Sequence, residues 1–184
     1  MRHRTLVELA RERGIRLPLA LTEDWPPRLS GTDERGWFRF QRLYDTARSV
    51  LRGPHDVRRL LTETAQDERA DGSGWLEIQV DPSGYAGRFG GITDMIELVL
   101  DAAADATAAT GVGIGVIVAA NRTKHPLEAR TLARLAAQYA ARLRVGRVDG
   151  ARRAVAHDRT IVGVEGRSPA IRCAASAVNI QLYR

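Results

Sequence analysis

Cysteine is almost missing from this 184-residue chain: Cys173 stands alone, which excludes an internal disulfide and any cysteine-based zinc site. A lone thiol near the C-terminus reads as inert. Lysine is as scarce, Lys124 being the only one among 28 basic residues. Near-exclusive use of arginine suggests a GC-rich coding sequence, so arginine content is weak evidence for a phosphate-binding face, and nucleic-acid binding is not expected. Long apolar runs are absent too. The longest, residues 113–120, falls far short of the roughly 20 residues needed to cross a bilayer, so no membrane partner is expected. Arg2, His3 and Arg4 are followed by neither an apolar core nor a small-residue cleavage site, so the expectation is a cytoplasmic protein with no signal peptide.

Catalytic signatures are equally sparse. His3, His55, His125 and His157 are isolated, with no His-x-His or His-Glu-x-x-His spacing, and read as solvated or structural side chains. Ser49, Ser83 and Ser168 lie outside any nucleophile elbow. No Gly-x-Gly-x-x-Gly follows a strand and there is no Walker-type loop, which weakens a nucleotide-binding open sheet.

What the chain does have is length for one domain and a 44% hydrophobic content, enough for a core. Its net charge of +6 is unevenly placed. Residues 143–184 hold +5 of it, and everything before them only +1.

Residues 71–81 organise the rest. A turn at Asp71-Gly72 precedes Trp75, Ile78 and Val80 among short apolar residues, and Pro82 and Gly84 follow, so residues 75–80 read as a buried strand. Helical periods flank it. Residues 5–13 carry Leu6, Leu9 and Ala10 on one face, with Gly14 as a stop. Pro18, Pro26 and Pro27 make residues 15–30 a surface loop, and Thr32 or Asp33 is placed to cap the next helix. That helix has a broad stripe of Trp37, Phe40, Leu43, Tyr44, Ala47, Val50 and Leu51. Gly53 and Pro54 break it, and residues 56–71 resume the period. Residues 81–91, with Pro82, Gly84, Gly87, Gly90 and Gly91, are expected to hold little regular structure. Residues 92–110 form the next helix up to Gly111. Residues 112–120 are a Val- and Ile-rich run typical of a strand covered on both faces, and Pro126 opens a helix to residue 142.

Two strands about 38 residues apart, each followed by a helix, predict parallel pairing and the α/β class. Periodicity leaves an open sheet and a (β/α)8 barrel both standing. Loops at the C-terminal ends of parallel strands carry chemistry in barrels, which gives residues 81–91 a positional claim to function. Glu77, mid-strand, is either an acid or base pointing into a barrel or a wall carboxylate paired with an arginine. Arg122, Lys124 and His125 form either an anion site or a solvated turn.

The order of segments resembles the adenosine deaminases of the amidohydrolase superfamily, particularly actinobacterial members. The resemblance rests on Arg4-Thr5-Leu6-Val7-Glu8-Leu9-Ala10 with Gly14-Ile15-Arg16-Leu17-Pro18, and on Trp37-Phe38-Arg39-Phe40-Gln41-Arg42-Leu43-Tyr44-Asp45 with Ser49-Val50-Leu51-Arg52. It continues through Asp71-Gly72, Trp75-Leu76-Glu77-Ile78-Gln79-Val80-Asp81-Pro82, Ala119-Ala120-Asn121-Arg122 and His125-Pro126-Leu127-Glu128-Ala129, and covers about residues 1–142. It implies a zinc-dependent (β/α)8 TIM barrel that deaminates adenosine to inosine and ammonia, with a purine nucleoside as partner. Phe40 and Tyr44 match the family helix whose aromatic side chains close over the nucleoside.

The family's metal ligands and catalytic glutamate fall at no position this chain matches. The resemblance therefore implies a partial barrel, without the first strand and the later strands, that holds no zinc and is inactive alone. Open strand edges lead to the further expectation of marginal stability. Residues 1–142 are expected to be the barrel portion and 143–184 a divergent arginine-rich tail reached through a frame shift. The alternatives are a shortened relative with residues 160–165 as a strand, a non-catalytic remnant, or a binding module acting through the basic tail.

Overall fold

The structure, a computed structural model, describes residues 1–23, 35–121 and 124–142 and the backbone of 144–145. The described elements are α1 (His3–Glu12), α2 (Gly36–Arg48), α3 (Pro54–Ala70), β1 (Trp75–Val80), α4 (Ala86–Phe89), α5 (Ile92–Thr110), β2 (Gly113–Val118), α6 (Pro126–Gln138) and β3 (Arg144–Val145). Short 3₁₀ turns occupy Leu19–Leu21 and Pro82–Gly84. The expectations for Pro26, Pro27, Thr32, Asp33, Arg122, His157, Ser168, Cys173, residues 160–165 and the tail lie outside the described residues, as does the Trp37 side chain.

As the spacing predicted, β1 and β2 pair in parallel, with Trp75 opposite Gly113 and Val80 opposite Val118. The crossover between them is α5, stopped at Gly111, which takes the left-handed φ of +74° that closes a helix. On the far side of β2 the two-residue β3 runs antiparallel, Val145 opposite Ile114. Period-two alternation then sorts the sheet. Val80, Ile114, Val116 and Val118 enter the core beneath the helices, with Leu76 and Ile78 packed against it. Trp75, Glu77 and Gln79 share the opposite face with Gly113, Gly115 and Ile117. A Cβ on Gly115 would stand 3.1 Å from Trp75 Cζ2, so the glycine is what lets the indole lie across the sheet.

The core closes over this sheet through Leu6, Leu21, Met95, Ile96, Leu100 and Ile114, all fully buried. Each such side chain contributes about 1.5–3 kcal/mol. Polar groups stitch α1 to α3. Buried Thr5 donates to Glu63 Oε2 at 2.6 Å, and Arg59 bridges Glu63 and Glu8 at 2.8 and 2.5 Å. Asp56, 2% exposed, takes Arg13 at 2.7 Å and also accepts the Arg52 and Gly53 backbone N–H groups, so it caps the start of α3.

Three expectations need correction. α2 ends at Arg48, not at Leu51, because Gly53 must be extended before Pro54; Val50 and Leu51 reach the core from the turn that follows. α6 ends at Gln138, not at Arg142. Residues 81–91 are largely ordered into turn and helix. The Asp81 carboxylate accepts the Ser83 N–H at 3.0 Å, Pro82 takes the first position of the 3₁₀ turn, and Gly90 at φ +87° stops α4, so the glycines punctuate the segment instead of dissolving it. Among the described residues no helix is long and apolar enough to cross a membrane.

Candidate active site

The C-terminal end of β1 delivers the chain to a cleft lined by Met1, Tyr44, Ala47, Arg48, Leu51, Leu60 and Tyr85. Tyr44 and Arg48 lie four residues apart on α2 and therefore share a face. Tyr85 comes from the other side. The Asp-Pro-Ser-Gly turn after β1 ends on it, its N–H donating to Pro82 O at 3.1 Å, and the residue is 3% exposed.

Arg48 joins the two sides. Its guanidinium carbon stands 5.7 Å from the centroid of the Tyr44 ring and 5.8 Å from that of Tyr85, both within cation–π range. Arg88 packs 5.5 Å from the Tyr85 centroid and donates to the Arg48 and Leu51 carbonyls at 3.3 and 3.2 Å, capping the end of α2. Phe89 meets Tyr85 edge to face at 6.3 Å. Burial first, and then neighbouring Tyr44, raise the Tyr85 pKa above the ordinary phenol value, against the opposing pull of Arg48 and Arg88. The cleft at neutral pH is thus an aromatic and aliphatic slot whose charge is carried by arginine.

Of the two residues expected to contact substrate, Tyr44 lines this cleft. Phe40, one turn earlier on α2, is half-buried and not among the lining residues, while Phe38 is 66% exposed. Arg48 and Tyr85 were not anticipated. The positional signal for Tyr85 was the loop after β1, but a search for paired acids and bases passes over a tyrosine and an arginine.

The other candidates stay apart. Glu77 is exposed on the sheet face turned away from the helices, and no arginine among the described residues pairs with it. His125 accepts the Leu127 N–H at 3.2 Å on Nδ1 and caps α6, beside exposed Lys124. His3 Nε2 lies 2.9 Å from Leu21 O, which requires it to donate, and His55 is exposed at the start of α3. Ser83 donates within its own turn to Asp81 at 2.6 Å and lies 2.9 Å from Glu128.

The adenosine deaminase family model matches residues 1–160. The chain belongs to that family. It is 61% identical over 146 residues to a protein of Streptomyces virginiae with the provisional name adenosine/adenine deaminase, covering 79% of this chain and 43% of that one. A Streptomyces coelicolor protein of the same provisional name is 58% identical over 150 residues, covering 79% and 44%. The chain therefore spans less than half the length of these curated relatives.

Two solved structures share the fold. They are an adenine deaminase from Arthrobacter aurescens, with TM-score 0.59 and 24% identity over 75% of this chain and 42% of that one, and an amidohydrolase from Burkholderia ambifaria with bound zinc, with TM-score 0.59 and 22% identity over 75% and 37%. The two parallel βα units described here are a portion of that (β/α)8 barrel architecture.

The zinc of the Burkholderia amidohydrolase invites a fit test on this chain's own residues. Among the described residues no three His, Cys, Asp or Glu side chains stand together to hold a metal ion. His3 and His125 already serve Leu21 and the start of α6. The described residues do not fit a zinc site.

Proposed function

We propose that the chain supplies the substrate-closing wall of a zinc-dependent enzyme that hydrolytically removes the 6-amino group of a purine, adenosine being the expected substrate, and that it is inactive by itself. The observation that carries this is the Tyr44–Arg48–Tyr85 cleft at the C-terminal end of β1, the end at which barrel enzymes bind and convert substrates. Family membership and the provisional name of the two Streptomyces relatives support the substrate class.

On this reading Tyr44 stacks on the planar base and Phe40 follows it as α2 closes. Tyr85, Leu51 and Leu60 exclude water from the base plane. These residues bind and shield. The metal and the proton transfers at C6 belong to groups outside the described residues, and no chemical step is assigned to this chain.

A segment exchange tests it. Residues 1–142 of this chain replace the matching segment of the Streptomyces coelicolor relative, and deamination of adenosine and of adenine is followed by ultraviolet absorbance. The exchanged protein should turn over adenosine, and Tyr44→Ala within it should raise KM roughly tenfold, about 1.4 kcal/mol of binding. A folded, zinc-loaded exchange protein without turnover on either substrate would overturn the reading.

A further inference from the structure

We propose that Arg48 is a positioning residue, a latch that fixes the Tyr44-bearing helix α2 against the turn after β1, and that its release opens the cleft to a planar aromatic base. The identity of that base rests on the purine reading above; the latch itself does not.

Four observations carry the latch. First, Arg48 reaches across a junction between elements: Tyr44 is on its own helix, but Tyr85 and Gly84 are on the turn after β1. The guanidinium is held closely there. A Cβ added to Gly84 would stand 2.8 Å from Arg48 Nη1.

Second, the carboxylate that Arg48 pairs with is Asp45 of the same helix, Nε to Oδ1 at 3.0 Å, so the ion pair does nothing to fasten α2 to its neighbour. What Arg48 adds across the junction is the ring contact, backed by Arg88 and its bonds to the Arg48 and Leu51 carbonyls at and just beyond the end of α2. Third, few described side chains of α2 enter the core. Among its described side chains only Ala47 is buried, and residues 49–53 beyond it are not helical, which offers a place for the chain to bend.

Fourth, the cleft as it stands is too small for its proposed ligand. The enclosed space is about that of a single water molecule, and a purine ring system needs many times that. Entry of a base requires Tyr44 and Tyr85, whose side chains also hydrogen-bond to each other, to separate, and Arg48 spans both rings. A latch made of cation–π contacts suits this use, because each contact is weak enough to break on binding and directional enough to re-form.

Hydrogen exchange followed by mass spectrometry on the full chain reads the latch directly. Arg48→Met keeps the length and apolar stem of the side chain but removes the cation. It should speed exchange of α2 roughly five- to tenfold while α3 and α5 stay unchanged, and Arg48→Lys should restore part of the protection. Gly84→Ala is the independent variant. Its methyl displaces only the far end of the Arg48 side chain, so the fold survives while the latch is pushed out, and the same rise is expected. Adenosine added to the unaltered chain should slow α2 exchange, and Tyr85→Ala should abolish that slowing. Unchanged α2 exchange in both Arg48→Met and Gly84→Ala overturns the latch. Faster exchange in the variants with no effect of adenosine on the unaltered chain leaves the latch standing and overturns the purine reading of the cleft.

Discussion

Two of the junctions that arginine makes between elements use different partners. Between α1 and α3, Arg13 meets Asp56, 2% exposed, which two backbone N–H groups also satisfy; Arg59 reaches Glu8 of α1 and holds Glu63 of its own helix, 7% exposed, to which Thr5 of α1 donates. Between α2 and the turn after β1, Arg48 and Arg88 meet tyrosine rings and carbonyl oxygens instead. A buried carboxylate cannot lose its partner without leaving an uncompensated charge, so the first junction is a permanent seam. A ring face loses little when its cation moves into water, so the second is a joint that can open. The cleft lies at the joint.

The seam should break expensively. Asp56→Ala strips Arg13 of its partner and leaves the Arg52 and Gly53 N–H groups at the start of α3 without an acceptor, and should lower unfolding stability by about 2–3 kcal/mol in urea titrations. Arg48→Met, at the joint, should cost under about 1 kcal/mol in the same titration although it loosens α2 locally. Equal losses in the two variants would erase the distinction between seam and joint.

How much of this was legible in the chain follows the same division. The strand at residues 75–80, the helix at 92–110 and the parallel pairing were readable because each rests on local periodicity bounded by Gly or Pro. Family resemblance singled out Tyr44 and Phe40; in the structure Tyr44 lines the cleft and Phe40 does not. Arg48 was not legible, since its meaning depends on Tyr85, 37 residues later and on another element, and no local spacing encodes that contact. The ordered turn after β1 was missed because five glycines and prolines were read as absence of structure, when Asp81 and Pro82 make them a 3₁₀ turn followed by a short helix. The antiparallel β3 had no signal of its own, being two residues held by backbone pairing.

A pH titration sharpens the comparison from the alkaline side. The Tyr85 pKa is raised chiefly by burial, so between the unfolded phenol's value of 10.0 and the higher folded value the unfolded chain has released a proton that the folded chain still holds. Stability from this group is complete below pH 10 and declines as pH rises above it. Tyr85→Phe removes the titrating hydroxyl and should flatten that alkaline decline in thermal melts, with little change at neutral pH beyond the lost contact with Tyr44. A decline of the same steepness in Tyr85→Phe would place its origin in another group.

The smallest effect is expected at the solvent rim of the seam, at Glu8. Its carboxylate is held below the usual glutamate range by the hydrogen bond from Arg59, although it is open to water. A lowered folded value means that the unfolded chain binds the proton first as pH falls through 4.5, so this contribution is full at neutral pH and is lost on acidification towards the folded value. Glu8→Gln should therefore leave neutral stability nearly unchanged and make the acid limb slightly shallower, a difference that added salt removes because exposed pairs are screened. Glu63, on the same arginine, is buried and hydrogen-bonded to Thr5, and Glu63→Gln should lower the thermal midpoint at neutral pH by an amount that salt does not change. Salt sensitivity in one variant and not the other, read from thermal midpoints between about pH 3 and pH 7, separates the rim of the seam from its interior; loss of both effects in salt would mean that Arg59 joins α1 to α3 by surface charge alone.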